Sequence, residues 1–199
     1  MVDGFDFDLE KNKNTNYHAL AEKLRSHMDA DQAATGKKWL LTAAPQCPSP
    51  DKVLNEALTT QMFDAIFIQF YNNPCSANKW TAAGKQDNVD TFNYGMWHSW
   101  IAKSAKNKNL KMFLTLPASG NVAGSGYVSK DTAAKMVADL AKKYPTSFAG
   151  VGIWDASEAK VNTGYTDKIK SALNTAQGAK RRRSLGFGYS HAHVHRHSG

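Results

Sequence analysis

The chain is poor in residues that would assign it to several simple classes. Only two cysteines, Cys47 and Cys75, occur in 199 residues, which excludes a disulfide-dense scaffold or a multi-cysteine zinc module. No run of eighteen apolar residues occurs, so the sequence offers no membrane-spanning helix and predicts no membrane partner. The N-terminal residues lack the basic and apolar regions of a secretory leader. Acidic residues are missing from the last twenty positions, which hold Lys180, Arg181, Arg182, Arg183 and Arg196. The net charge of +8 is therefore concentrated there, and the rest of the chain is nearly balanced. A nucleic-acid partner would have to rest on the KRRR run alone, and such runs are usually solvated. We expect none.

What the chain does have is enough apolar and aromatic side chains, 42% and 11%, to build one sizeable core. Their spacing alternates between two periods. Residues 16–30, NYHALAEKLRSHMDA, carry Tyr17, Leu20, Leu24 and Met28 at helical spacing behind an Asn cap. KKWLLTAAPQCP reads as a strand and loop, and SPDKVLNEALTTQMF as a helix with Ser49 as cap and Pro50 in its first turn. AIFIQFYNNP is a near-continuous apolar strand of the kind buried on both faces. The helix DTFNYGMWHSWIAKSAK, the strand LKMFLTLPAS, the helix SKDTAAKMVADLAKKY capped by Ser129, the strand FAGVGIWD and the helix YTDKIKSALNTA follow. With the N-terminal strand, this predicts five strands alternating with five helices, hence βαβ units on a parallel sheet. Residues 1–178 form this body. Residues 179–199, basic and rich in Gly, Ser and His, read as a disordered tail, and His191, His193, His195 and His197 within it are not read as a designed metal site. No metal or cofactor is expected elsewhere.

The first ten residues, MVDGFDFDLE, combine strand formers with four carboxylates. Strand parity puts Asp6, Asp8 and Glu10 on one face, about 7 Å apart, and Phe5, Phe7 and Leu9 on the other. A parallel strand is covered on both faces, so the acidic ladder is expected to face an interior or a site, where unpaired carboxylates are costly unless used. Asp3 has the opposite parity and reads as structural.

DGFDFDLE followed in order by LLTAAPQCPSPD, FIQFYNNPC, FLTLPAS and VGIWDAS resembles the glycoside hydrolase family 18 chitinases of the plant and fungal class III type. The family motif D-x-x-D-x-D-x-E is matched by Asp3, Asp6, Asp8 and Glu10, and the resemblance runs from residue 2 to about 177. It implies a (β/α)8 TIM barrel of which this chain holds the fourth to eighth strands with their helices, an N-terminally truncated partial barrel with open edges that favour self-association. It also implies a secreted parent protein acting on chitin or chito-oligosaccharide.

Glu10 ends its strand, Tyr71 ends QFY and Trp154 ends GIW, so all three arrive at the face where barrel enzymes build their sites. Glu10 is the candidate acid for cleaving a glycosidic bond. Two nearby carboxylates are expected to disfavour its ionised form, which suits it to that role. The resemblance implies that the nucleophile is the substrate's own acetamido oxygen, with Asp8 orienting the acetamido N–H, Asp6 behind it, and Tyr71 bonding the acetamido carbonyl. It further implies that Gln69 and Asn72 line the pocket, that Trp154 floors it, and that Cys47 and Cys75 pair. Trp97 and Trp100, three apart on a helix, read as core packing, and His98 as a surface or satisfied helix residue. Trp80 is either a lid or a loop anchor. Two other activities fit the same motifs less well: a non-hydrolytic chitin-binding or inhibitor protein, which would most simply have lost the acid, and an endo-β-N-acetylglucosaminidase.

Overall fold

A computed structural model describes residues 2–11 and 16–189, with side chains described through residue 179. Five parallel strands, β1 (Gly4–Phe7), β2 (Leu40–Ala43), β3 (Ala65–Gln69), β4 (Lys111–Pro117) and β5 (Phe148–Trp154), lie side by side in chain order. A doubly wound sheet reverses its strand order partway, whereas a sheet in which each strand adds beside its predecessor rolls toward a barrel. The chain is accordingly a partial barrel, an arc with β1 and β5 as its edges.

Alternation along the strands divides the sheet into two unlike faces. Leu41, Ala43, Ile66, Ile68, Met112, Leu114 and Leu116 are buried, in one core with Ala21 and Met28 of α1 (Tyr17–Thr35), Ala57 and Leu58 of α2 (Asn55–Thr60), Trp97 and Ile101 of α3 (Tyr94–Lys103), and Met136, Val137 and Leu140 of α4 (Lys130–Lys143). The opposite parity carries Asp6, Thr42, Phe67, Gln69, Phe113, Thr115 and Gly152. There Phe67 stacks on Phe113 with centroids 4.5 Å apart, and a Cβ on Gly152 would meet the Thr115 hydroxyl at 2.8 Å.

This inner face is open, and that corrects two expectations. On this face of β3 Gln69 is buried but Ala65 and Phe67 are only partly so, and the acidic ladder of Asp6, Asp8 and Glu10 is exposed rather than enclosed. The apolar side of β1 is also less covered than expected. Phe7 is buried edge-on against Phe63, but Phe5, on an edge strand, is 44% exposed and rests on Trp39.

Helix ends differ from the sequence reading for local reasons. Asn16 adopts a left-handed conformation and makes no side-chain cap, while Gly36, also left-handed, closes α1 through its N–H to Gln32. The helix expected from Ser49 begins only at Asn55. The Asp51 carboxylate, not Ser49, accepts the N–H groups of Val53 and Leu54 at 2.8 and 2.7 Å. Ser129 caps α4 as expected, accepting from Thr132. A short helix missing from the sequence reading, α5 (Ala156–Val161), starts where the Asp155 carboxylate accepts from Ser157 and Glu158. The last helix, α6 (Tyr165–Tyr189), carries its backbone past the boundary expected at 178, since Ala, Lys and Arg are good helix formers. The four alternating histidines lie outside the described residues.

Candidate active site

The strand ends on one rim of the arc converge on a cleft of about 120 Å³ lined by Asp8, Glu10, Gln46, Gln69, Tyr71 and Trp154, together with Asn72 and Asn73. Parallel pairing explains the convergence. β1 registers Phe7 against Ala43 of β2, and β3 registers Gln69 against Thr115 of β4, so residues a step or two past these positions emerge at one level. A larger hollow, about 630 Å³, lies between α4 and α6. Its walls are mostly alanine with two lysines and no carboxylate, so it offers no acid–base chemistry.

Within the cleft, Gln69 is the hub. It is buried, and its amide nitrogen lies 2.9 Å from the Ala44 carbonyl, 3.2 Å from Asp8 Oδ1 and 3.4 Å from Glu10 Oε1. Asp6 accepts the Thr42 hydroxyl at 2.5 Å and acts on Asp8 through its charge. The Asp8 carboxyl is held above its ordinary value, first by desolvation and then by the charges of Glu10 and Asp6, against the Gln69 hydrogen bond.

Tyr71 is buried, and its hydroxyl is pushed well above the usual tyrosine range by desolvation and by the charges of Asp8 and Glu10. It is therefore a neutral O–H donor throughout the working range of an enzyme. Trp154, at the end of β5, is 46% exposed and presents aromatic surface to the same cleft. Its peptide bond to Asp155 is cis.

Asn72 lines the cleft but is otherwise employed. It is left-handed, and its Oδ1 accepts the N–H groups of Gly124 and Ser125 at 2.8 and 3.3 Å, so it pins the loop after β4 to the end of β3. Cys47 and Cys75 are joined, with Cα atoms 5.9 Å apart, and the Cys47 carbonyl accepts from Asn93 at 2.9 Å and from Trp97 Nε1 at 2.8 Å. Trp97 is fully buried, and His98 lies 2.8 Å from the Ser147 hydroxyl. Trp80 donates to Asp139 on α4 at 3.3 Å, which makes it a loop anchor rather than a lid.

Sequence reasoning missed Gln46, whose amide donates to Glu10 Oε2 at 2.8 Å. The available signal was parity, since Thr42, Ala44 and Gln46 share a face that Gln46 extends beyond β2 through an isolated bridge to Gln69.

Against known proteins, the family model "Glycosyl hydrolases family 18" matches residues 1–184. An endochitinase of Saccharomyces cerevisiae is 40% identical over 181 residues, covering 88% of this chain and 29% of its own length. The chain thus spans under a third of that relative. Among solved structures, a chitinase from Ipomoea carnea superposes with a TM-score of 0.65 at 30% identity, over 86% of this chain and 56% of that one. A xylanase and α-amylase inhibitor protein from Scadoxus multiflorus gives 0.63 at 32% identity, over 85% and 56%.

Proposed function

The chain belongs to glycosyl hydrolase family 18, and on that premise we propose that it hydrolyses the β-1,4 linkages of chitin or chito-oligosaccharides with retention, using the substrate's own acetamide as nucleophile. The observation that carries this reading is the gathering of Asp8, Glu10, Gln69, Tyr71 and Trp154 in one cleft. Glu10 protonates the leaving glycosidic oxygen. Asp8 accepts the acetamido N–H and turns the carbonyl oxygen toward the anomeric carbon. Tyr71 donates its hydroxyl to the same acetamide. As the leaving group departs, an oxazolinium forms, Glu10 takes a proton from water, and the water opens the ring. Trp154 supplies the flat apolar floor against which the C–H face of a sugar packs. Gln69 holds the two carboxylates in register, and Asn72 shapes the cleft wall through the loop it fastens.

An extracellular location is part of this reading, and the Cys47–Cys75 disulfide supports it, since such bonds persist in oxidising compartments. The unpaired edges of β1 and β5 supply a route to self-association. The inhibitor among the structural neighbours favours a second reading, a non-hydrolytic binder on the same scaffold, which the retained Glu10 weighs against. Turnover of a fluorogenic N-acetylchitotriose by the chain, beside its Glu10→Gln variant, separates them. Hydrolysis lost in the variant supports the enzyme, whereas binding without turnover in both supports the binder.

A further inference from the structure

We propose that Gln46 is the positioning residue for the Glu10 carboxyl and that it dictates which Glu10 oxygen carries the catalytic proton. The inference rests on the glycosidase reading above. Glu10 lies beyond the last paired residue of an edge strand and is exposed, and among the described residues no cation forms an ion pair with it. A general acid so placed needs something to fix its orientation.

Two amides reach it. Gln69 has two amide hydrogens for three acceptors, and Glu10 Oε1 is the most distant of the three, at 3.4 Å against 2.9 Å for Ala44 and 3.2 Å for Asp8. Gln46 is therefore the committed donor, at 2.8 Å from Oε2. Its own backbone is fastened on several sides. Its N–H donates to the buried Asp51 carboxylate at 2.9 Å, it bridges to Gln69, and the next residue, Cys47, is cross-linked to Cys75 and hydrogen-bonded through its carbonyl to Asn93 and Trp97.

The carbonyl oxygen of a protonated carboxyl group is the better acceptor for an amide N–H, and the contact of 2.8 Å to Oε2 against 3.4 Å to Oε1 makes Oε2 that oxygen. With Oε2 engaged by Gln46, the proton of the acid form resides on Oε1, the oxygen turned toward Asp8 and Gln69 and thus toward the acetamide site. The same oxygen receives the proton from water in the second step. The titratable groups facing Glu10 are Asp8, with Asp6 behind it, and the neutral hydroxyl of Tyr71.

The test compares the full chain with Gln46→Met, which keeps length but cannot donate, and Gln46→Glu, which brings a like charge. The readings are kcat, KM and pH–rate profile on the fluorogenic chitotriose, and a ¹³C NMR titration of the Glu10 carboxyl without substrate. In Gln46→Met, kcat falls about 10- to 100-fold with KM within about twofold. The alkaline limb and the Glu10 titration both move up by about one pH unit, because an N–H donor favours the ionised form. Gln46→Glu moves them further. Unchanged profile and titration in both correctly folded variants, or a loss confined to KM, overturns the proposal. A wild-type chain without turnover, but with the Glu10 titration displaced in Gln46→Met, refutes the glycosidase reading of this chain while sustaining the positioning role.

Discussion

Replacing both cysteines, Cys47→Ala with Cys75→Ala, tests how far the rim of the cleft depends on its cross-link. The bridge closes a sequence separation of 28 residues, and the chain-entropy relation gives about 3.6 kcal/mol for a loop of that length. In the native state, little should change around Cys47, since its carbonyl is held by Asn93 and Trp97 whether or not the sulfur is present. Both cysteines are fully buried, so removing the sulfurs adds a packing loss of about 1 kcal/mol. The expected destabilisation is thus about 4 to 5 kcal/mol, equivalent to a fall in Tm of roughly 8–20 °C for a chain of this size. Urea unfolding of the two proteins measures it. The slope with denaturant should be steeper in the variant, because its unfolded state is no longer constrained. A loss below about 1 kcal/mol, with equal slopes, would refute the reasoning that the bridge acts on the unfolded chain.

Three further outcomes follow from individual contacts. Asp64→Ala removes the acceptor of Arg25 at 2.6 Å and of the Leu41 N–H at 2.8 Å, and urea unfolding should register a loss of about 2 kcal/mol, moderated by the partial exposure of the pair. Gly126→Ala places a Cβ 2.7 Å from the Phe70 carbonyl and the Tyr71 Cα at a φ of 99°, so stability should fall by about 2 kcal/mol and turnover with it, as Tyr71 is displaced. An acid whose carboxyl is raised in the folded state, as Asp8 is, favours folding only while protonated. Its contribution is complete below its ordinary value of 3.8 and is lost as pH rises through the folded value. Asp8→Asn should therefore gain stability relative to the wild type between pH 3 and pH 7, and a difference that is flat with pH would contradict the partial desolvation and neighbouring charges assigned to Asp8.

The parts legible in the sequence were those encoded by local periodicity and by motif order. The strand–helix alternation and the rim positions of Glu10, Tyr71 and Trp154 belong to that class, whereas the pairing of Cys47 with Cys75 came from the family resemblance. Asp51, a better cap than Ser49, went unread because its carboxylate serves a turn and the loop holding Gln46 at once. Periodicity carries no sign of such a double role. Asn72 lines the cleft as the resemblance implied, but that its side-chain oxygen also fastens a loop more than fifty residues away was not readable from its place beside Tyr71. The exposure of Phe5, Phe67 and the acidic ladder depends on how far the sheet closes around them, a property of the whole arc rather than of any strand.

In the proposed mechanism the cleft turns the substrate's own acetamide into the nucleophile at Glu10. Following chitotetraose and its fully de-N-acetylated counterpart by ¹H NMR in the presence of the chain tests this most directly. Only the acetylated sugar should be cleaved, and the β-anomer should appear first. Equal cleavage of both sugars, or initial release of the α-anomer, would contradict it.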